Sequence, residues 1–198
     1  QCRSPKIRYA GVGTEKIESL AGAVFKPARI ARMDSDTMRG ADDYEAVLER
    51  FRRGELDILI GTQMIAKGLH FPNVTLVGIV NADLGLSMPD FRAPERTFQL
   101  ITQVAGRAGR GDIRGEVIIQ THNPENETIQ YAAQQDFDGF SKFDLEFRQL
   151  LAYPPYTHLI IVHFRGEDES MVVEFANGFT AELQRYGHEG IRFAGPSP

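Results

Sequence analysis

The chain has 198 residues, 42% of them hydrophobic and 25% charged, with a formal net charge of −5. That composition supports one large or two small cored domains and excludes a chain too polar to collapse. It holds no apolar run near the roughly 20 residues a bilayer requires and no charged-then-apolar leader, so a cytoplasmic protein without membrane contact is expected. A single cysteine, Cys2, excludes an internal disulfide, which fits a reducing compartment. The charge is uneven. Residues 1–115 carry 17 Lys/Arg against 14 Asp/Glu, and residues 116–198 carry 5 against 13. Overall acidity therefore does not exclude a local cationic groove in the first part, because net charge bears on solubility and steering rather than fold.

In chain order, Thr14 followed by Ile17, Leu20, Ala21 and Val24 predicts an amphipathic helix capped by the threonine and ended by Pro27. Ala28 to Met33 alternates apolar and basic residues and predicts a strand. Tyr44, Val47, Leu48 and Phe51 fall at helical spacing, with Asp42 and Asp43 suited to the positive helix start and Gly54 as the stop. Ile58–Ile60 and Val74–Val80 are short apolar runs that suit parallel strands covered on both faces. A helix is predicted over Pro94–Ala108, a strand over Glu116–Gln120 and a helix over Glu125–Gln134. Strands alternating with helices indicate an α/β domain with a mainly parallel sheet. Ligands of such sheets bind beyond the carboxyl ends of the strands, which singles out Gly61–Gly68 and Asn81–Leu86.

Near residue 140 the pattern changes. Phe140, Phe143, Phe147 and Leu151 predict a helix, and Tyr153-Pro154-Pro155-Tyr156 cannot continue it. A strand (Leu159–Phe164), a helix (Met171–Tyr186) and a strand (Ile191–Ala194) follow. We therefore expect one domain over residues 1–150 and the incomplete beginning of a second over 151–198, since about 45 residues with one βαβ unit are few for a whole domain.

Three strings carry chemistry. In Gln103-Val104-Ala105-Gly106-Arg107-Ala108-Gly109-Arg110, two arginines three apart share a helix face, and the glycines beside them remove bulk. The planar guanidinium fork matches phosphate oxygens, so the pair suits a triphosphate losing its terminal group. Alone, the pair reads equally as a solvated basic helix end. In Ile60-Gly61-Thr62-Gln63-Met64-Ile65-Ala66-Lys67-Gly68, a turn after a buried strand presents amides and small polar side chains, which position a nucleic-acid backbone without reading sequence. Alone, Gly-Thr-Gln reads as an ordinary loop. Arg32-Met33-Asp34-Ser35-Asp36-Thr37 is by itself a turn with Asx-type hydrogen bonding.

Taken together the strings resemble motifs VI, V and IV of superfamily 2 helicases. With Gly11-Val12-Gly13-Thr14-Glu15-Lys16, Phe91-Arg92-Ala93-Pro94-Glu95-Arg96, Tyr153-Pro154-Pro155 and Gly195-Pro196-Ser197-Pro198, their order and spacing resemble the PriA family of primosomal replication-restart helicases over essentially the whole chain. The resemblance implies a RecA-like second helicase lobe followed by a truncated α+β C-terminal domain. It implies a 3′-to-5′ DNA helicase driven by ATP and Mg²⁺ and acting on forked and single-stranded DNA, monomeric, with single-strand-binding protein and primosome loading proteins as partners. It assigns Arg107 and Arg110 to catalysis, Gly68, Gln103, Arg107 and Arg110 to ATP, and Thr62, Gln63 and Lys67 to DNA. The phosphate-binding lysine and the magnesium carboxylate would lie in a first lobe, so this chain alone is expected to hydrolyse no ATP.

Other features weigh less. Gly11–Lys16 opens a helix but lacks the Gly-Lys-Ser/Thr of a phosphate-binding loop, and Asp168-Glu169 follows no strand and reads as a solvated turn. Alone, Cys2 is a free thiol. The resemblance makes it one ligand of a Zn²⁺ site in the full-length protein, and a structural zinc needs four ligands, which this chain does not supply. The five histidines show no metal-like spacing. Two other classes stay open: a non-catalytic nucleic-acid-binding module on a degenerate motor fold, against which the intact arginine pair counts, and a Rossmann-like cofactor enzyme, which would need a G-x-G-x-x-G after a strand.

Overall fold

The computed structural model describes residues 13–34, 36–38, 40–62, 73–106, 115–187 and 190–196. The chain divides into two compact units, Gln1–Ala152 and Tyr153–Pro198.

The first unit opens with α1 (Thr14–Val24), β1 (Ile30–Met33), α2 (Ala41–Arg52) and β2 (Ile58–Gly61). Thr14 does not cap α1. Gly13 is the cap residue, in extended conformation, and Thr14 is the first helical residue. Its hydroxyl donates to Oδ2 of Asp34, a charge-assisted bond stronger than one between neutral groups. Strand β1 begins at Ile30 rather than Ala28, since Arg29 is engaged with Asp57. The amide of Arg29 donates to Asp57 Oδ2 at 2.7 Å, and the amide of Asp57 to the Arg29 carbonyl at 2.8 Å. Helix α2 has Asp42 and Asp43 in its first turn and Arg50 and Arg52 in its last, opposing the helix dipole. Gly54 follows with φ of +70°, a conformation that favours glycine. Strands β1 and β2 pair in parallel from Ile30–Ile58 to Met33–Gly61. Met33 and Leu48 form a small core on which Tyr44, Val47, Phe51, Leu59 and Val74 pack.

The second half of this unit holds β3 (Leu76–Ile79), α3 (Asp83–Leu86), α4 (Ala93–Ala105), β4 (Glu116–Ile119), α5 (Glu127–Gln134) and α6 (Phe137–Leu150). Within the Asn81–Leu86 segment beyond the strand end, residues 83–86 form one helical turn. Strands β3 and β4 pair in parallel from Leu76–Glu116 to Ile79–Ile119. The parallel pairing follows the expectation, but the described strands form two two-stranded sheets rather than one. Burial on both faces is not seen either. Ile79 and Ile119 pack on the larger core of Ala82, Phe98, Ile101, Ile129, Ala132 and Phe140, whereas Leu76 and Ile118 are more than half exposed. The helices α4 and α5 cover one face, and no described element covers the other.

Helix α5 starts two residues later than expected, because Asn126 caps it, its side-chain oxygen accepting from the Thr128 amide at 3.0 Å. Helix α6 is turned relative to its aromatic stripe. Its buried residues are Phe140, Asp144 and Arg148, while Phe147 and Leu151 are about half exposed.

In the second unit, α7 (Glu169–Tyr186) is capped by Asp168, which accepts from the amides of Ser170 and Met171 at 2.8 and 3.1 Å. The Asp168 turn is therefore a helix cap. Phe164 lies edge-on to Phe175 and Phe179 of α7. The strands expected over 159–164 and 191–194 do not form. A strand is completed by a hydrogen-bonded neighbour, and neither segment has one among the described residues. No described helix is long and apolar enough to cross a membrane.

Candidate nucleotide and nucleic-acid site

Because Met33 and Gly61 are the last register pair of β1 and β2, the chain leaves the sheet at Asp34 and Thr62 on neighbouring strands. Two of the three chemistry-bearing strings thus begin side by side at one carboxyl edge. Asp34 is 4% exposed. Its Oδ1 accepts from the amides of Asp36 and Thr37 at 3.1 and 3.0 Å and from the Thr37 hydroxyl at 3.1 Å, and its Oδ2 takes the Thr14 hydroxyl. Arg32 Nε lies 3.4 Å from both Asp34 Oδ2 and Glu18 Oε2. The Thr14 hydroxyl, with help from Thr37, holds the Asp34 carboxyl below the usual range despite its burial. The expected Asx turn is therefore present and is also tied to α1. This tie joins the Gly13–Lys16 stretch, set aside above as no phosphate loop, to the motif IV turn. Sequence spacing held no signal for it, the partners being 20 positions apart.

Thr62 is exposed at the end of β2. Gln63, Lys67 and Gly68 lie outside the described residues, as do Cys2, Arg107 and Arg110. Gln103 is exposed on the last turn of α4, which Phe98 and Ile101 anchor in the core. Among the described residues no hydrogen bond links Gln103 to Thr62. No group of three His, Cys, Asp or Glu residues able to hold a metal ion occurs among them.

At the start of α4, the Phe91–Arg96 string forms a charged collar. Asp90 accepts from the Arg92 amide at 2.9 Å and pairs with Arg96 at 2.8 Å, and the Arg92 amide is the largest influence holding its carboxyl low. Arg148 of α6 contacts both Glu95 and Asp144. Burial pushes the Asp144 carboxyl up, with Arg148 opposing. Apolar periodicity carries no signal for Asp144 and Arg148, which are buried although charged.

At the other sheet edge, Asp83 of α3 accepts from the Thr121 hydroxyl and the His122 amide, both at 2.8 Å. The His122 amide is the main reason its carboxyl is held low.

The α/β architecture with its parallel strand pairs is that of a nucleotide-driven motor family's domain, as comparison with known proteins shows. Residues 12–112 match the helicase conserved C-terminal domain family, and the chain belongs to it. Within that class it is similar to replication restart proteins PriA. It is 52% identical over 161 residues to that of Chlamydia trachomatis, covering 81% of this chain and 21% of the relative. Identity to the Bacillus subtilis protein is 43% over 197 residues, and to the Synechocystis protein 40% over 198, each covering 100% of this chain and 24% of the relative. The chain thus spans about a quarter or less of the length of these relatives.

Proposed function

We propose that this chain is the second RecA-like lobe of an ATP-dependent 3′-to-5′ DNA helicase that acts on forked DNA in replication restart and primosome assembly, with residues 151–198 beginning its C-terminal domain. The observation that carries the reading is the Gln103–Arg110 string at the end of α4, standing in a chain similar over its whole length to replication restart proteins. Arginines across a cleft from the nucleotide stabilise the charge that develops on the transferring phosphoryl group, an effect of about 10³–10⁵ in rate. In this chain Gln103, Arg107, Arg110 and Gly68 would meet ATP. The exposure of Gln103 at the helix end suits that role. ATP with Mg²⁺ supplies the driving hydrolysis, with the magnesium carboxylate contributed by another lobe. Thr62, Gln63 and Lys67 would grip the DNA backbone. Their first member stands exposed beside the braced Asp34 turn. Single-strand-binding protein and primosome loading proteins are the expected partners, in the cytoplasm. Cys2 would belong to a zinc site completed elsewhere in the full-length protein.

The test is ATP hydrolysis by the full-length protein with and without forked DNA, comparing wild type with Arg110→Ala. Fork-stimulated turnover that collapses by orders of magnitude in the variant is expected. Turnover indifferent to DNA, or untouched by the substitution, would overturn the motor reading in favour of a non-catalytic nucleic-acid-binding module.

A further inference from the structure

The Phe91–Arg96 string is part of the family resemblance, yet the motor reading leaves it without a role. Its neighbours supply one. Arg148, on the last turn of α6, has a side chain only 10% exposed. Its Nη2 donates to Oε2 of Glu95, 53 positions earlier, at 2.7 Å. The same nitrogen lies 2.8 Å from Asp144 Oδ2, and the guanidinium carbon sits 5.2 Å from the centre of the Phe91 ring. One cation thus gathers a carboxylate from the first turn of α4, an aromatic ring from the turn just before α4, and a carboxylate from α6. A planar guanidinium can hold two carboxylates and a ring together, which a compact ammonium cannot.

Helices α4 and α6 also meet through Phe98, stacked on Phe140 at 4.2 Å and tilted against Phe137 at 6.3 Å. A charge-assisted hydrogen bond adds direction to that packing. Phe98 and Ile101 seat α4 in the core, and the ion pair adds a directional tie at its first turn. A helix of 13 residues is a rod of about 20 Å at the standard rise, so a rotation at Glu95 is also a rotation at Gln103.

We propose that Arg148, seated on Glu95 and Phe91, is a positioning residue for the motor reaction, holding the first turn of α4 in place and with it the aim of Gln103 on that helix's last turn. The inference rests on the motor reading above.

Its test is steady-state ATP hydrolysis on forked DNA by the full-length protein, comparing wild type with Arg148→Met, Glu95→Gln, their double variant and Arg110→Ala. Small misplacements remote from the chemistry cost up to about 100-fold in rate. We expect kcat to fall by about 10- to 100-fold in each single variant of the pair. The double variant should be no worse than Arg148→Met alone, since that substitution already removes the bond that Glu95→Gln weakens. KM for ATP should stay within about twofold, as expected when an interaction serves the transition state. Thermal unfolding of the same samples separates positioning from mere stability. A purely structural bond would lower the unfolding midpoint and leave kcat intact below it, which would overturn the inference. Should Arg148→Met fail to fold, Glu95→Gln carries the test, because Glu95 is the more exposed partner. If Arg110→Ala abolishes turnover while the Arg148 and Glu95 variants retain wild-type kcat, the inference falls and the motor reading stands. If Arg110→Ala has no effect, the motor reading itself falls.

Discussion

Replacing Phe98 by alanine removes the residue on which the larger core converges. Phe98 is 4% exposed, stacks on Phe140 with rings 6° from parallel, and meets Phe137 at 6.3 Å. Its surroundings, Ala82, Ile101, Ile129 and Ala132, are almost fully buried and sit on regular elements, so the cavity can collapse little. A buried phenylalanine truncated to alanine costs about 3–5 kcal/mol, and an aromatic pair contributes about 0.5–1.5 kcal/mol of coupling. In a unit the size of Gln1–Ala152, each kcal/mol moves the unfolding midpoint by about 2–4 °C, so a fall of about 6–20 °C is expected. Thermal and urea unfolding followed by circular dichroism would measure it, with Phe140→Ala and the double variant closing a mutant cycle. Phe98→Leu, losing less volume, should cost roughly 1–2 kcal/mol and serves if the alanine variant does not fold. A loss below about 1 kcal/mol for Phe98→Ala, or strict additivity with Phe140→Ala, would refute the packing argument.

Two further outcomes follow from local geometry. Gln135 closes α5 in the left-handed conformation, with φ of +55°, which costs a residue with a side chain about 1–2 kcal/mol. Gln135→Gly should therefore raise the unfolding midpoint, and an unchanged or lowered midpoint would contradict the strain. The pH dependence of stability should have two limbs. The carboxyls of Asp34, Asp57, Asp83 and Asp90 are held low by, respectively, the Thr14 hydroxyl, the Arg29 guanidinium, the His122 amide and the Arg92 amide. A carboxylate depressed in the folded state contributes fully above its unfolded pKa and loses that contribution as pH falls through the folded value. Stability should thus decline below about pH 4. Asp144, raised by burial, works in the opposite sense, taking up a proton first in the folded state, so stability should rise slightly on mild acidification. Midpoints measured against pH in wild type and Asp144→Asn test both limbs. The variant should lack the mild-acid rise, and a stability that climbed steadily to pH 3 would contradict the assignment of the first four carboxyls.

The elements most readable from sequence are those whose signals are local. Gly54 stops α2 because its backbone adopts a positive φ, and Pro94 opens α4 because a first-turn residue has no helical partner for its amide. Strand pairing and burial are not local. Leu159–Phe164 has the composition of a strand and finds no neighbour among the described residues. Leu76 belongs to an apolar run and is more than half exposed. Arg148 shows the limit most clearly. The aromatic residues at 140, 143 and 147 suggest one buried face of α6, but the helix buries the row 140, 144, 148. The ion pair that sets this row has its other carboxylate 53 positions away, where no spacing rule reaches.

The site itself was legible as strings before it was legible as a place, and the structure adds a reason to favour one sheet edge over the other. Both parallel pairs present carboxyl ends, the usual location for ligands. At the β3–β4 edge, Asp83 spends its carboxylate on Thr121 and His122, and the Ala82 amide reaches the Gln120 carbonyl at 3.0 Å, so the polar groups there bond one another across the edge. At the β1–β2 edge, Asp34 draws the following turn and α1 together on one side, while Thr62 stands exposed on the other. An edge braced on one strand and exposed on the next leaves its exposed side open to a ligand. On that ground Thr62, rather than the Asn81–Leu86 segment, is the described position open to a ligand at a carboxyl edge.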